Sequence, residues 1–312
     1  GGNPCLEQSL ESYELCCLVE TFPSNHDSLD DYLTTLKYAY LYAKTVTLGK
    51  THWPETNRVM LRNRRIGCSV SGIAQFITHR GQGELRRWLE SGYDALQKYD
   101  KGYSDWFAVP RSIKTTSVKP SGTVSLLAGS TPGLHYPESR FYIRRIRLSN
   151  MSPLIKPLEK AGYKIEPAFG SEDSTVVIEV PVDVGEGIRT VSEVPMWEQM
   201  ALAAFMQRYW ADNQVSCTVT FDPEKEGGQI ATALNYFQYQ LKGISFLPKL
   251  ELGAYKQMPY EEITEKKYNE MVKQLSFLSF RQVKGAEAEV EKFCNNDTCE
   301  IDFEQIKETQ EV

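Results

Sequence analysis

The sequence contains no apolar run near the roughly 18 residues needed to span a membrane. Its opening, GGNPCLEQSL, holds no basic segment followed by an apolar one. Neither a membrane span nor a secretory leader is expected, and a cytoplasmic location is. Basic blocks are missing too. Lys and Arg are interleaved with acids, and the net charge of −6 opposes a nucleic-acid partner. Histidine is scarce: His26, His52, His79 and His135 show no ligand spacing, so no metal site is expected from them. Seven cysteines, unevenly spaced along 312 residues, do not make a small secreted disulfide framework. No repeat of fixed period is present.

What is present gathers at the two ends. Cys5, Cys16 and Cys17 open the chain, and Cys294 and Cys299 lie near its close. In a reducing compartment such clusters point to redox catalysis or metal binding rather than to structural disulfides. Termini fray, so a chain that opens on its most chemically loaded segment is expected to work with a further N-terminal portion, missing or separately encoded.

The patterning between the ends reads as α/β. Ser28 starts a helix, with Asp30 and Asp31 in its first turn and Gly49 as its stop. IGCSVSGIAQFIT and GELRRWLESGYDALQKYD read as two further helices. SEVPMWEQMALAAFMQRYWADN reads as a helix capped by Ser192, and PEKEGGQIATALNYFQYQLKG and TEKKYNEMVKQLSF are also helical. SIKTTSVKPSGTVSLLAG is β-rich, broken by Pro-Ser-Gly before a short helix or turn; FYIRRIRLS, STVVIEVPV and VSCTVTF are strand-like. Alternating helices and strands predict a parallel sheet. Residues 1–280 form the folded part in this reading. Residues 281–312, polar and acidic, read as a flexible tail carrying the terminal cysteine pair.

Four motifs carry chemistry. In NPCLEQ, Pro4 biases Asn3 towards an extended conformation. An extended segment with period two would set Asn3, Cys5 and Glu7 on one face: an amide, a thiol and a carboxylate for one substrate. A turn around a buried cysteine is the plainer reading of this motif standing alone. Cys16 and its neighbour Cys17 should face opposite ways, and both suit core filling as well as redox chemistry. In KPSGTVSLLAGSTPGLH, Gly122 permits close backbone approach, Ser121 and Thr123 offer hydroxyls, and amides at the start of a following helical turn would face an anion. In CNNDTC, Cys294 and Cys299 make a dithiol or half of a zinc site that lacks a second pair.

Together these motifs resemble the ribonucleotide reductases, most closely the monomeric adenosylcobalamin-dependent ribonucleoside-triphosphate reductases (class II). The resemblance rests on NPCLEQ with Cys16 after it, NRRIGCSVSGIAQF, TTSVKPSGTVSLLAGSTPGLHY, YIRRIRL, YWADNQVSCTVTF, LKGISFLP and the terminal Cys pair. It implies the C-terminal half of a ten-stranded α/β barrel, with a finger loop near residues 3–16 threaded through its centre. It implies a thiyl radical at Cys5, a general base at Glu7, a substrate hydrogen bond from Asn3 and a reducing role for Cys16. Cys294 and Cys299 would relay reducing equivalents from thioredoxin, and Ser121, Gly122, Thr123 and Val124 would hold substrate phosphates. The cofactor implied is adenosylcobalamin and the substrate a ribonucleoside triphosphate.

The departures from the family pattern are also expectations. The second reducing cysteine and the allosteric region belong upstream in the family and are absent from this sequence. No Tyr-Tyr pair occurs, which closes the radical route that uses a second, iron-containing subunit. Ser245 and Phe246 stand where that class has its tyrosines. No D-x-H-x-x-G motif occurs either, so His135 is not an obvious axial ligand of cobalamin. The alternatives are a large subunit with a partner-derived radical, a non-catalytic regulatory fragment and, more distantly, a zinc-binding module.

Overall fold

The computed structural model describes residues 1–249 and 256–279. Along the chain the elements are β1 (Leu18–Thr21), α1 (Leu29–Val46), α2 (Pro54–Asn63), β2 (Gly67–Val70), α3 (Ile73–Arg80), α4 (Gln82–Phe107) and α5 (Val124–Leu127). There follow β3 (Phe141–Ser149), α6 (Ile155–Lys160), β4 (Lys164–Pro167), β5 (Thr175–Asp183), α7 (Met196–Tyr209) and β6 (Thr218–Phe221). Last come α8 (Ile230–Phe237), β7 (Ser245–Pro248), β8 (Tyr260–Glu262) and α9 (Glu265–Gln274). The chain divides into two units: residues 1–136 with 187–249, and residues 137–186 with 250–312.

The first unit carries the parallel layer that alternation predicts. β1 pairs with β2 from Leu18↔Gly67 to Thr21↔Val70. Cys68 bridges to Thr116 and Val118 to Val215, both in parallel, and β6 pairs in parallel with β7. Five extended segments therefore run side by side in one direction. Their inward side chains meet Tyr32, Leu36 and Tyr40 of α1, Leu85, Trp88, Leu89 and Leu96 of α4, and Met196, Met200 and Met206 of α7, all essentially fully buried. A parallel sheet needs such cover because crossover helices supply its faces.

The IGCSVSGIAQFIT segment departs from its reading. Gly67–Val70 is a strand buried on both faces, and the helix begins only at Ile73. A short apolar run buried on both sides cannot be told from a helix by periodicity. Ser28 does cap α1, accepting from the Asp31 amide at 3.2 Å. Ser192 does not cap α7: Thr190 caps a short 3-10 turn at Val191–Glu193, and α7 starts after Pro195, whose ring interrupts the run. α2 was not anticipated, because PETNRVMLRN is too polar to show a broad apolar face.

In the second unit the strands are antiparallel, in the order β4-β5-β3-β8. The link from Pro167 to Thr175 is too short for the crossover that parallel pairing requires. On this sheet Arg145 of β3 donates to Glu179 of β5 at 2.8–3.0 Å, and Lys164 of β4 reaches the other Glu179 oxygen at 3.1 Å.

Candidate functional site

The first ten residues form a hairpin loop. Gly2 bridges to Ser9, the Asn3 amide donates to Gln8 O at 3.1 Å, and the Gln8 amide donates back to Asn3 Oδ1 at 3.0 Å. The Asn3 side chain thus closes a turn with Cys5 near its tip. The extended reading of Asn3, Cys5 and Glu7 does not hold. Leu6, between Cys5 and Glu7, sits at φ 57°, a conformation that costs a branched side chain free energy and breaks any period of two. Burial still separates the three: Asn3 is buried, Glu7 is fully buried, and Cys5 is half-buried.

The loop is fastened at both sides. Glu7 O accepts from the Gln214 amide at 3.0 Å. On the return arm, Glu14 accepts from Arg65 Nε at 3.0 Å and from Asn63 Nδ2 at 3.0 Å, and Glu11 accepts from Asn63 and Arg62. Arg65 also donates to Asn213, which donates in turn to Ile66 O and Thr116 O at 2.8 Å. Buried charge is tolerated here because each group is paired and hydrogen-bonded. Behind the loop, a Cβ on Gly67 would lie 2.5 Å from Gln8 Nε2, 2.6 Å from Ser117 Oγ and 2.7 Å from a Leu18 methyl. Only glycine lets β2 approach the loop this closely.

Cys16 and Cys17 face opposite ways, as expected. Cys17 is in the core, its thiol donating to Ala43 O at 3.3 Å, and burial pushes it up to about 11. Cys16 turns outward to the loop. Shielding from water pushes its thiol up, and the Glu7 carboxylate adds to this; a hydrogen bond with Asn3 and the charge of Lys119 oppose it. Asn3, Glu7, Cys16 and Lys119 therefore share one neighbourhood. Both Glu7 carboxylate oxygens are buried and, among the described residues, accept no hydrogen bond. A buried carboxylate in that state is unusual and marks a place where a donor is to be supplied.

Lys119 begins the Ser-Gly-Thr loop. Ser121 is buried in the left-handed region at φ 53°, α5 starts at Val124, and the Ser125 amide returns to Ser121 O at 3.0 Å. Gly122 is half-buried, while Thr123 and Val124 are exposed. The loop closes at Gly133, whose φ is 51° and whose missing side chain leaves room for the Lys119 carbonyl. His135 is spoken for: its Nε2 accepts from the Thr218 amide at 3.2 Å, and burial holds its pKa below the usual range, so the ring is neutral. The Cys294 and Cys299 pair lies outside the described residues.

Sequence reading missed Glu20. It is half-buried near the end of β1, where Oε1 accepts from Ser69 at 3.0 Å and Ser71 at 2.7 Å, and Oε2 accepts from Ser121. Burial pushes its carboxyl up to about 7, against the three serine hydroxyls and Lys119. The available signal was an acid within an apolar strand, LVET, since such a group is seldom buried without a task.

Comparison with known proteins bears on this site. No family model matches the chain. A probable adenosylcobalamin-dependent ribonucleoside-triphosphate reductase of Dictyostelium discoideum is 61% identical over 306 residues, covering 96% of this chain and 40% of the relative. The adenosylcobalamin-dependent ribonucleoside-triphosphate reductase of Euglena gracilis is 60% identical, covering 96% of this chain and 42% of the relative. The crystal structure of a B12-dependent (class II) ribonucleotide reductase superposes with a TM-score of 0.78 at 33% identity, over 88% of this chain and 42% of that one. The class Id ribonucleotide reductase alpha subunit of Actinobacillus ureae, at 17% identity and a TM-score of 0.57, shares the fold. The chain thus spans about two fifths of the length of these curated relatives. With about 60% identity to these relatives over nearly the whole chain and the α/β fold matched, the chain belongs, as a part of the full length, to the adenosylcobalamin-dependent ribonucleoside-triphosphate reductase family.

Proposed function

We propose that this chain carries the substrate-reducing site of a ribonucleotide reductase, converting ribonucleoside triphosphates to 2′-deoxyribonucleotides in concert with the rest of the reductase. The observation that carries this reading is Glu7: a fully buried carboxylate with no donor on either oxygen among the described residues, sharing its neighbourhood with Asn3 and Cys16. A ribose hydroxyl is the donor that such a group lacks.

In this reading the Cys5 thiyl takes the 3′-hydrogen, Glu7 takes the 3′-hydroxyl proton, and Asn3 holds the ribose. The 2′-hydroxyl leaves as water, Cys16 and a second thiol from the rest of the reductase supply the two electrons and become a disulfide, and Cys5 returns the 3′-hydrogen at the end. The raised Cys16 thiol supports that role, because the group enters the reaction carrying its hydrogen. The charge of Lys119 acts on both Cys16 and Glu20, and so adds positive charge close to the loop Ser121, Gly122, Thr123 and Val124, where substrate phosphates would rest.

Adenosylcobalamin, for which the relatives are named, supplies radical chemistry that no side chain can start alone. The fit in this chain lies in Cys5, a half-buried thiol held by a fastened loop, which is the group such a cofactor would act on. His135 is not an obvious ligand for it, its Nε2 accepting from the Thr218 amide. Cys294 and Cys299 would return the Cys16 disulfide to thiols by exchange and pass the oxidation to thioredoxin.

The test is Glu7→Gln in the complete reductase. The amide keeps the shape but accepts no proton, so kcat should fall by roughly 10²-fold or more while nucleotide affinity holds. Turnover within threefold of the parent would refute the assignment.

A further inference from the structure

The hydrogen bonds around Glu20 fix the direction of every proton but one. The Lys119 amide donates to Ser69 Oγ at 2.8 Å and the Gly133 amide donates to Ser71 Oγ at 2.9 Å. Amides only donate, so these two hydroxyls act as acceptors there and spend their own hydrogens on Glu20 Oε1, at 3.0 and 2.7 Å. Both ends of the Ser121 loop therefore hang from one carboxylate oxygen through Ser69 of β2 and Ser71 just after it. The other oxygen, Oε2, accepts from the Ser121 hydroxyl. Charged or titratable groups that feel Glu20 are Lys119 on the loop, Tyr32 on α1 and Cys68 on β2; Tyr32 and Cys68 are held neutral by burial.

Oε1 already receives two hydrogens, so a proton arriving at Glu20 can sit only on Oε2. There it must point at Ser121 Oγ. Ser121 then becomes the acceptor, and its own hydroxyl hydrogen turns away to serve another acceptor. With Glu20 ionised, by contrast, that hydrogen is committed to the carboxylate.

We infer that Glu20 is a positioning residue coupled to phosphate binding: an anionic phosphate at Ser121 draws one proton from solvent onto Glu20 Oε2, and Ser121 redirects its hydroxyl from Glu20 to the phosphate. The inference rests on the reading of the Ser121 loop as the phosphate site. Atoms balance, since Glu20 gains one solvent proton and Ser121 keeps its own. The coupling also removes a negative charge from beside an incoming polyanion. It falls in the useful range because burial places the Glu20 carboxyl at about 7.

The experiment is titration calorimetry of inorganic triphosphate into the complete reductase at about pH 8, in two buffers of different ionisation enthalpy. The parent should take up close to one proton more than Glu20→Gln, and its affinity should weaken about fivefold between about pH 7 and pH 8. Glu20→Gln mimics the protonated state, with its carbonyl accepting from Ser69 and Ser71 and its amide donating to Ser121. It should therefore bind triphosphate at least as tightly as the parent at pH 8, with little pH dependence. A merely structural Glu20 would give weaker binding in the variant. Equal proton uptake in parent and variant, or weaker binding in a folded variant, overturns the inference. If the variant does not fold, infrared difference spectra of the parent decide: a protonated carboxyl band appearing on addition of triphosphate supports the coupling, and its absence refutes it. Failure of the underlying reading looks different. Ser121→Ala would then bind triphosphate as tightly as the parent, whatever Glu20 does.

Discussion

Gly67→Ala puts one methyl group at the contact between β2 and the loop proposed to be catalytic. The new carbon would lie 2.5 Å from Gln8 Nε2, 2.6 Å from Ser117 Oγ and 2.7 Å from Leu18 Cδ2. Each distance is far inside van der Waals contact. Gln8 and Ser117 are both fully buried, so neither can swing into solvent to relieve it. Overpacking of this kind costs about 1–3 kcal/mol, which for a unit of this size lowers Tm by roughly 5 °C. The larger effect is on chemistry. Gln8 adjoins Glu7, and a displacement of about 1 Å at a reacting group can cost on the order of 10²-fold in rate. Thermal melts and turnover of the complete reductase measure the two effects. Gly102→Ala is the control: it lies within α4 with nothing near its Cβ, and it should stabilise by about 0.5–1 kcal/mol and leave turnover unchanged. Parent-like melting and turnover for Gly67→Ala would refute the idea that this contact positions the loop.

Asp100→Asn should destabilise by about 3–5 kcal/mol in urea titrations. It strands the Lys44 ammonium, fully buried 2.8 Å from Asp100 and bound also to Pro110 O and Ser112 Oγ. The Lys44→Met/Asp100→Asn double variant should recover a good part of that loss, and a loss below about 1 kcal/mol in the single variant would show that the pair is not desolvated. The Cys294→Ser/Cys299→Ser double variant should lose turnover driven by thioredoxin and keep turnover driven by dithiothreitol, which reaches Cys16 directly. Parent-like rates with thioredoxin would rule out the relay.

Much of the site was legible because its parts are local. Asn3, Cys5 and Glu7 announce themselves within NPCLEQ, and the opposed directions of Cys16 and Cys17 follow from adjacency. The parallel layer of the first unit followed from alternation, whereas the antiparallel second unit did not, because pairing there is decided by the lengths of links rather than by periodicity. The loop conformation was misread for a related reason: Leu6 adopts a left-handed backbone that no pattern of residue types reveals. Glu20 was illegible as a hub because Ser69, Ser71 and Ser121 lie 49, 51 and 101 residues from it in sequence. Likewise Arg65 meets Asn213 across 148 residues. Such contacts exist only once β1, β2 and the following segments lie side by side. Hydrophobic patterning sets that assembly, while the polar groups that exploit it carry no periodicity of their own.

The most direct test of the central claim is Cys5→Ser in the complete reductase, supplied with adenosylcobalamin, a ribonucleoside triphosphate and dithiothreitol. The change is nearly isosteric, so melting temperature and triphosphate binding should stay close to those of the parent. Formation of 2′-deoxyribonucleotide, followed chromatographically, should vanish, because a serine hydroxyl does not take the place of the thiol as hydrogen carrier. Substantial product from a folded, nucleotide-binding Cys5→Ser reductase would contradict the claim that this loop is where the chemistry happens.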